Sequence, residues 1–130
     1  MKKQTVVVLL ATRSTSLRDG LAALLTAIPQ IDEVEIVGSL EAVFLRVKAG
    51  KPQIVVVDLM LLGSTPETTL EEIPILSPGT QRVILAGDLE EVKWAPYRAE
   101  AFLTIGSLPS TIADVITKLL KIDGKDDRLA

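Results

Sequence analysis

Residues 5–11 form an unbroken β-branched and aliphatic run, and residues 54–57, Ile54-Val55-Val56-Val57, form another. A strand with one wet face alternates apolar and polar residues. A strand with no polar position is buried on both faces, as inner strands of a parallel sheet are. Between these runs the apolar period changes to that of a helix. Leu17, Leu21, Leu24, Leu25 and Ile28 recur at helical spacing up to Pro29. Residues 34–38 read as a second strand. Ser39 is placed to cap a helix carrying Leu40, Val43, Phe44 and Val47, stopped by Gly50. The third strand, 54–57, ends at Asp58. Thr65-Pro66 reads as an N-cap and first-turn proline, opening a helix to about Ile73. Residues 82–86 form a fourth strand. Asp88 and Glu91 make a variant capping box for a short helix that Pro96 ends. Residues 101–105 form the fifth strand. Pro109 opens a last helix with Ile112, Val115, Ile116, Leu119 and Leu120 on one face.

Strands that alternate with helices in this way predict an α/β fold with a doubly wound, five-stranded parallel sheet. Right-handed crossovers restrict its topology. At 130 residues the chain fits one domain, expected over 1–122, followed by a short charged tail at 123–130. The sequence has no Cys and no His. Disulfides, thiolate nucleophiles, Ser-His-Asp triads, imidazole metal ligands and phosphohistidine relays are therefore excluded within it. A net charge of −3 gives no general attraction to nucleic acid. No apolar run reaches the roughly 18 residues of a membrane span. The apolar stretch after Met1-Lys2-Lys3 is too short for a signal peptide. A cytoplasmic domain is expected.

In such sheets ligands bind beyond the C-terminal ends of the strands. That edge holds residues 11–15, 58–64, 86–88 and 105–107. Asp58 follows three valines directly, and a carboxylate there must be solvated or paired. Spacing leaves two roles open: a cap for the next turn, or an acceptor carboxylate in the crevice.

The element order with Val55-Val56-Val57-Asp58-Leu59 resembles the receiver domain of two-component response regulators. Val8-Leu9-Leu10-Ala11 followed by Leu17-Arg18-Asp19-Gly20-Leu21 is similar to the start of receivers in LuxR-type regulators. Gly63 matches the receiver's turn glycine, Phe102 its aromatic switch position, and Pro109 the proline opening its last helix. The resemblance covers residues 4–122. It implies a CheY-like fold, with the strand order 2-1-3-4-5, and phosphoryl transfer from a histidine kinase to the aspartate matching Asp58. It also implies Mg²⁺ held by that aspartate and an acidic pair after the first strand, a Ser/Thr ending the fourth strand, and a Lys ending the fifth. The cation and lysine are there to offset the charge of the phosphoryl oxygens.

This chain departs at those positions. Thr12 and Arg13 stand at the acidic pair, Ala86 at the hydroxyl, Ile105 at the lysine, and Leu62 at the proline before Gly63. Asp58 alone remains. Mg²⁺ binding by one carboxylate is expected to be weak or absent, so no cofactor is expected. The chain reads as a pseudo-receiver in which Asp58 is not a productive phosphoacceptor. Two placements are open for Arg13: an ion pair with Asp58 in place of the metal, or solvent. The hydroxyl-rich loop 12–16 suits helix capping, or an anion or small molecule held at a helix N-terminus. Trp94 and Tyr97, with Phe102, lie on the fourth helix and fifth strand. With the last helix, these form the surface where receivers dimerise or bind partners. Glu71-Glu72 and Glu90-Glu91 read as ordinary acids of exposed helical faces.

The expected function is that of a signalling module, not an enzyme, acting through a protein partner or a homodimer at that surface. A weakly phosphorylated conventional receiver and a binder at loop 12–16 are the alternatives. No direct nucleic-acid or membrane partner is expected, and the tail after Lys121 is too short for a helix-turn-helix.

Overall fold

The structure, a computed structural model, describes residues 5–63, 66–87 and 99–123. The aliphatic runs form a parallel sheet of β1 (Val7–Ala11), β2 (Glu33–Val37), β3 (Ile54–Asp58), β4 (Gln81–Ala86) and β5 (Ala101–Thr104), in the order β2-β1-β3-β4-β5. This is the expected order. The helices are α1 (Thr15–Thr26), α2 (Leu40–Gly50), α3 (Leu59–Leu62), α4 (Pro66–Leu76) and α5 (Pro109–Asp123). The helix expected between 88 and 96 lies outside the described residues, as do Thr65, Glu90-Glu91 and the tail beyond Asp123.

The period of two sorts each inner strand between two cores. Val8, Leu10, Ile54, Val56, Val83 and Leu85 face one side, where Leu21 and Leu25 of α1 and Ile112 and Ile116 of α5 cover them. Leu9, Ala11, Val55, Val57 and Ile84 face the other, against Val43 and Val47 of α2 and Leu70 and Ile73 of α4. A strand with apolar residues on both faces is thus explained by helices on both faces.

Caps follow the sequence at α1 and α2. Ser14 accepts from the Leu17 amide at 3.3 Å and Ser39 from the Ala42 amide at 3.1 Å. The stop of α2 is not Gly50, which is its last helical residue. The left-handed turn falls on Lys51, at φ 46°. Pro52 follows Lys51 and disfavours the α region there. The Lys51 Nζ also reaches the Leu76 carbonyl at 3.3 Å.

Two helical features depart from expectation. A single turn, α3, follows β3 directly. And α4 does not end at Ile73 but continues through Pro74 to Leu76. Proline has no N–H to donate four residues back, which frees the Leu70 carbonyl. Arg82 of β4 answers it: its Nη1 donates to the Leu70 oxygen at 3.0 Å. The same guanidinium is held by Glu100, with Nη2 to Oε2 at 2.9 Å and Nε to Oε1 at 3.2 Å. An arginine from the sheet therefore stands in for the missing helical donor. Among the described residues no helix is long and apolar enough to cross a membrane.

Candidate functional site

Parallel pairing decides which groups meet at the C-terminal edge. Ala11 of β1 pairs with Val57 of β3. One step further along, Thr12 and Asp58 are therefore side by side, with the same parity as Leu10 and Val56. Both are buried: Thr12 is 3% exposed and Asp58 7%. The Thr12 hydroxyl donates to Asp58 Oδ2 at 2.9 Å. The hydroxyl oxygen itself accepts the Ser14 amide at 3.1 Å. Asp58 Oδ1 accepts the Met60 amide at 3.0 Å and so caps α3. The chain Ser14 N–H to Thr12 O–H to Asp58 ties the start of α1 to the end of β3. No buried side-chain nitrogen or oxygen among the described residues lacks a partner.

Arg13 does not take the metal's place. Its Nε donates to the Gly38 carbonyl at 3.4 Å, across β2. Among the described residues no cation stands within 4.0 Å of Asp58. Of the two placements open for Arg13, the ion pair with Asp58 is not the one adopted. The reason is steric order: successive residues past a strand point to opposite sides, and Thr12 holds the Asp58 side.

Over Asp58 lies an open cleft of about 450 Å³, lined by Ser14, Ser16, Leu17, Asp58, Met60 and Ile105. Its walls are apolar and exposed: Met60 is 82% and Ile105 47% accessible. The Ile105 amide continues the sheet, donating to the Ala86 carbonyl at 2.9 Å. Ala86 is buried and brings no hydroxyl to the edge. Of the predicted residues, Asp58 and Ile105 line this cleft, Thr12 bonds Asp58 beneath it, Ala86 lies at the sheet edge beside Ile105, and Arg13 turns away. Sequence reasoning missed Met60 and the pairing of Thr12 with Asp58. The signal for the second was present, since both residues end adjacent buried strands. Among the described residues no three Cys, His, Asp or Glu side chains converge to hold a metal ion.

Gly63 ends α3 at φ 69° and ψ −141°, a backbone region other residues enter only with strain. The turn glycine thus sits where its conformation is required. Phe102, in β5 opposite Ile84, is half-buried and packs on the core beneath α2 and α4. Trp94 and Tyr97, expected at the partner surface, lie outside the described residues.

This architecture, a five-stranded parallel sheet in the order 2-1-3-4-5 with an aspartate ending the third strand, is the receiver fold of response regulators. Many solved structures share it, three of them as follows. A signal receiver domain from Vibrio parahaemolyticus is 22% identical, with a TM-score of 0.79 over 97% of this chain and 98% of that one. A CheY-like response regulator receiver domain from Methanospirillum hungatei is 20% identical, with a TM-score of 0.79 over 95% and 99%. A LuxR-family two-component response regulator from Aurantimonas is 20% identical, with a TM-score of 0.75 over 90% and 86%. No family model matches the sequence, and no curated protein matches it.

Proposed function

We propose that the chain is a signalling module of receiver architecture that works by protein–protein contact without phosphorylation of Asp58. The observation that carries this is the state of Asp58. Its oxygens accept only neutral donors, the Thr12 hydroxyl and the Met60 amide, and no cation among the described residues stands beside it. Phosphoryl transfer to a carboxylate needs positive charge to stabilise the transferring group. Thr12 contributes a neutral hydroxyl where a second carboxylate would help hold Mg²⁺. Ile105 contributes an alkyl group, and Arg13 is directed to Gly38. Absence of one preorganised donor typically costs about 2.7–4 kcal/mol of transition-state stabilisation, and several are missing together. A partner or a second copy would then read the module's surface, with Phe102, Trp94 and Tyr97 as the residues to vary.

The test is a ¹⁵N–¹H NMR titration of the full chain with Mg²⁺, then with beryllofluoride, a mimic of aspartyl phosphate. The expected spectrum is unchanged at Asp58, Met60 and Phe102. Saturable shifts running from Asp58 to Phe102 would establish the rival reading, a conventional receiver that a histidine kinase can address. An anion site at loop 12–16 is the weaker alternative, because the buried Asp58 carboxylate faces the same cleft and repels an anion.

A further inference from the structure

The cleft over Asp58 combines an anion, apolar walls and hydroxyls, and the described residues place no cation in it. A carboxylate has about four lone-pair directions, and two are taken here by neutral donors. No cation among the described residues offsets the charge, although the side chain is only 7% exposed. Such a group favours a cation beside it. The walls decide which kind. A hard metal ion is held weakly by one carboxylate with no group of acidic companions, and no such group is present among the described residues. A guanidinium binds best when both carboxylate oxygens are open on one side. Here Oδ1 and Oδ2 each already accept one hydrogen. An ammonium needs only one of the remaining directions, and Ser14 and Ser16 supply hydroxyl oxygens for its other hydrogens. Leu17, Met60 and Ile105 would then flank the methylenes that carry it.

We propose that this cleft binds a primary ammonium group on an unbranched alkyl chain, borne by a free alkylamine or by a lysine side chain of a partner. The proposal rests on the reading that Asp58 remains an unmodified carboxylate.

The experiment is a ¹⁵N–¹H NMR titration of the full chain with ethylammonium, n-butylammonium and n-hexylammonium chlorides, against sodium chloride of equal ionic strength and n-butanol. The expected result is saturable shifts at the amides of Ser14, Ser16, Met60 and Ile105. Affinity should rise by up to about fourfold per methylene that the cleft covers. It should fall at least tenfold in Asp58→Asn and for n-butanol. Ile105→Lys, at an exposed position, keeps the carboxylate and supplies an internal ammonium; it should compete n-butylammonium out while the fold is retained. Nα-acetyl-lysine methylamide distinguishes the source. Binding equal to n-butylammonium supports a protein-borne lysine, and weaker binding supports a free amine. Shifts no larger than those of sodium chloride, or equal affinity for n-butanol, overturn the proposal. Unchanged binding in both Asp58→Asn and Ile105→Lys does so as well. The beryllofluoride titration is read separately, so a phosphorylatable Asp58 and an amine-blind cleft give different results.

Discussion

Replacing Thr12 by valine keeps the side chain's shape and removes its hydroxyl. In this fold that leaves Asp58 Oδ2 and the Ser14 amide without their present partner. Leaving buried polar groups unpaired costs about 1–3 kcal/mol. Thr12→Val is expected to lose stability in that range on urea unfolding, whereas Thr12→Ser, which retains the hydroxyl, loses much less. An equal loss in both variants would show that the methyl group, not the hydroxyl, matters. Thr12 was legible as a departure from the receiver pattern. Its role was not, because a threonine after a strand reads equally as a cap or a turn residue. Arg13 drew attention by its charge, yet the neutral neighbour meets the carboxylate.

At the scale of elements, Pro74, Arg82 and Glu100 couple α4, β4 and the start of β5. Arg82→Met would strand the Leu70 carbonyl and remove the guanidinium from Glu100, which keeps the backbone amide of residue 82. A loss of about 1–3 kcal/mol is expected in chemical denaturation. Pro74→Ala restores an amide four residues after Leu70. In the double variant the Arg82→Met penalty should therefore shrink, and strict additivity would refute the surrogate-donor account. The Glu100 carboxyl carries a pH signature. Burial pushes it up, but the hydrogen bonds and charge of Arg82 outweigh this and hold it below its ordinary 4.5. A carboxyl lowered by folding contributes stability above its unfolded value and loses it as pH falls through its folded value. Stability should thus decline below about pH 4.5, and Glu100→Gln should flatten that decline when Tm is followed against pH. The effect is modest, since the side chain is 35% exposed and solvent screens it. The helix through Pro74 could not be read locally: proline signals a stop, and the donor that permits continuation comes from another element.

For the whole molecule, two cores share one sheet. Leu9 and Leu10 are adjacent in β1, both fully buried, and face opposite helical layers. Leu9→Ala and Leu10→Ala should each cost about 2–5 kcal/mol. Each variant should unfold in one transition seen alike by far-ultraviolet circular dichroism and by NMR, because neither layer has a sheet of its own. Separate transitions would show the layers to be independent. The sequence by itself determined the alternation of strands and helices, the two-faced sheet, the cap at Ser39, and the edge where Asp58 lies, because each depends on local period or on a rule of chain connection. Asp58 caps the Met60 amide locally, but its partner across the sheet was decided only in three dimensions. Register between β1 and β3 sets Thr12 against it, and Gly38 draws Arg13 aside. These contacts join residues 46 and 25 positions apart. No local pattern can choose among them, because packing of the whole sheet fixes which side chains share a face.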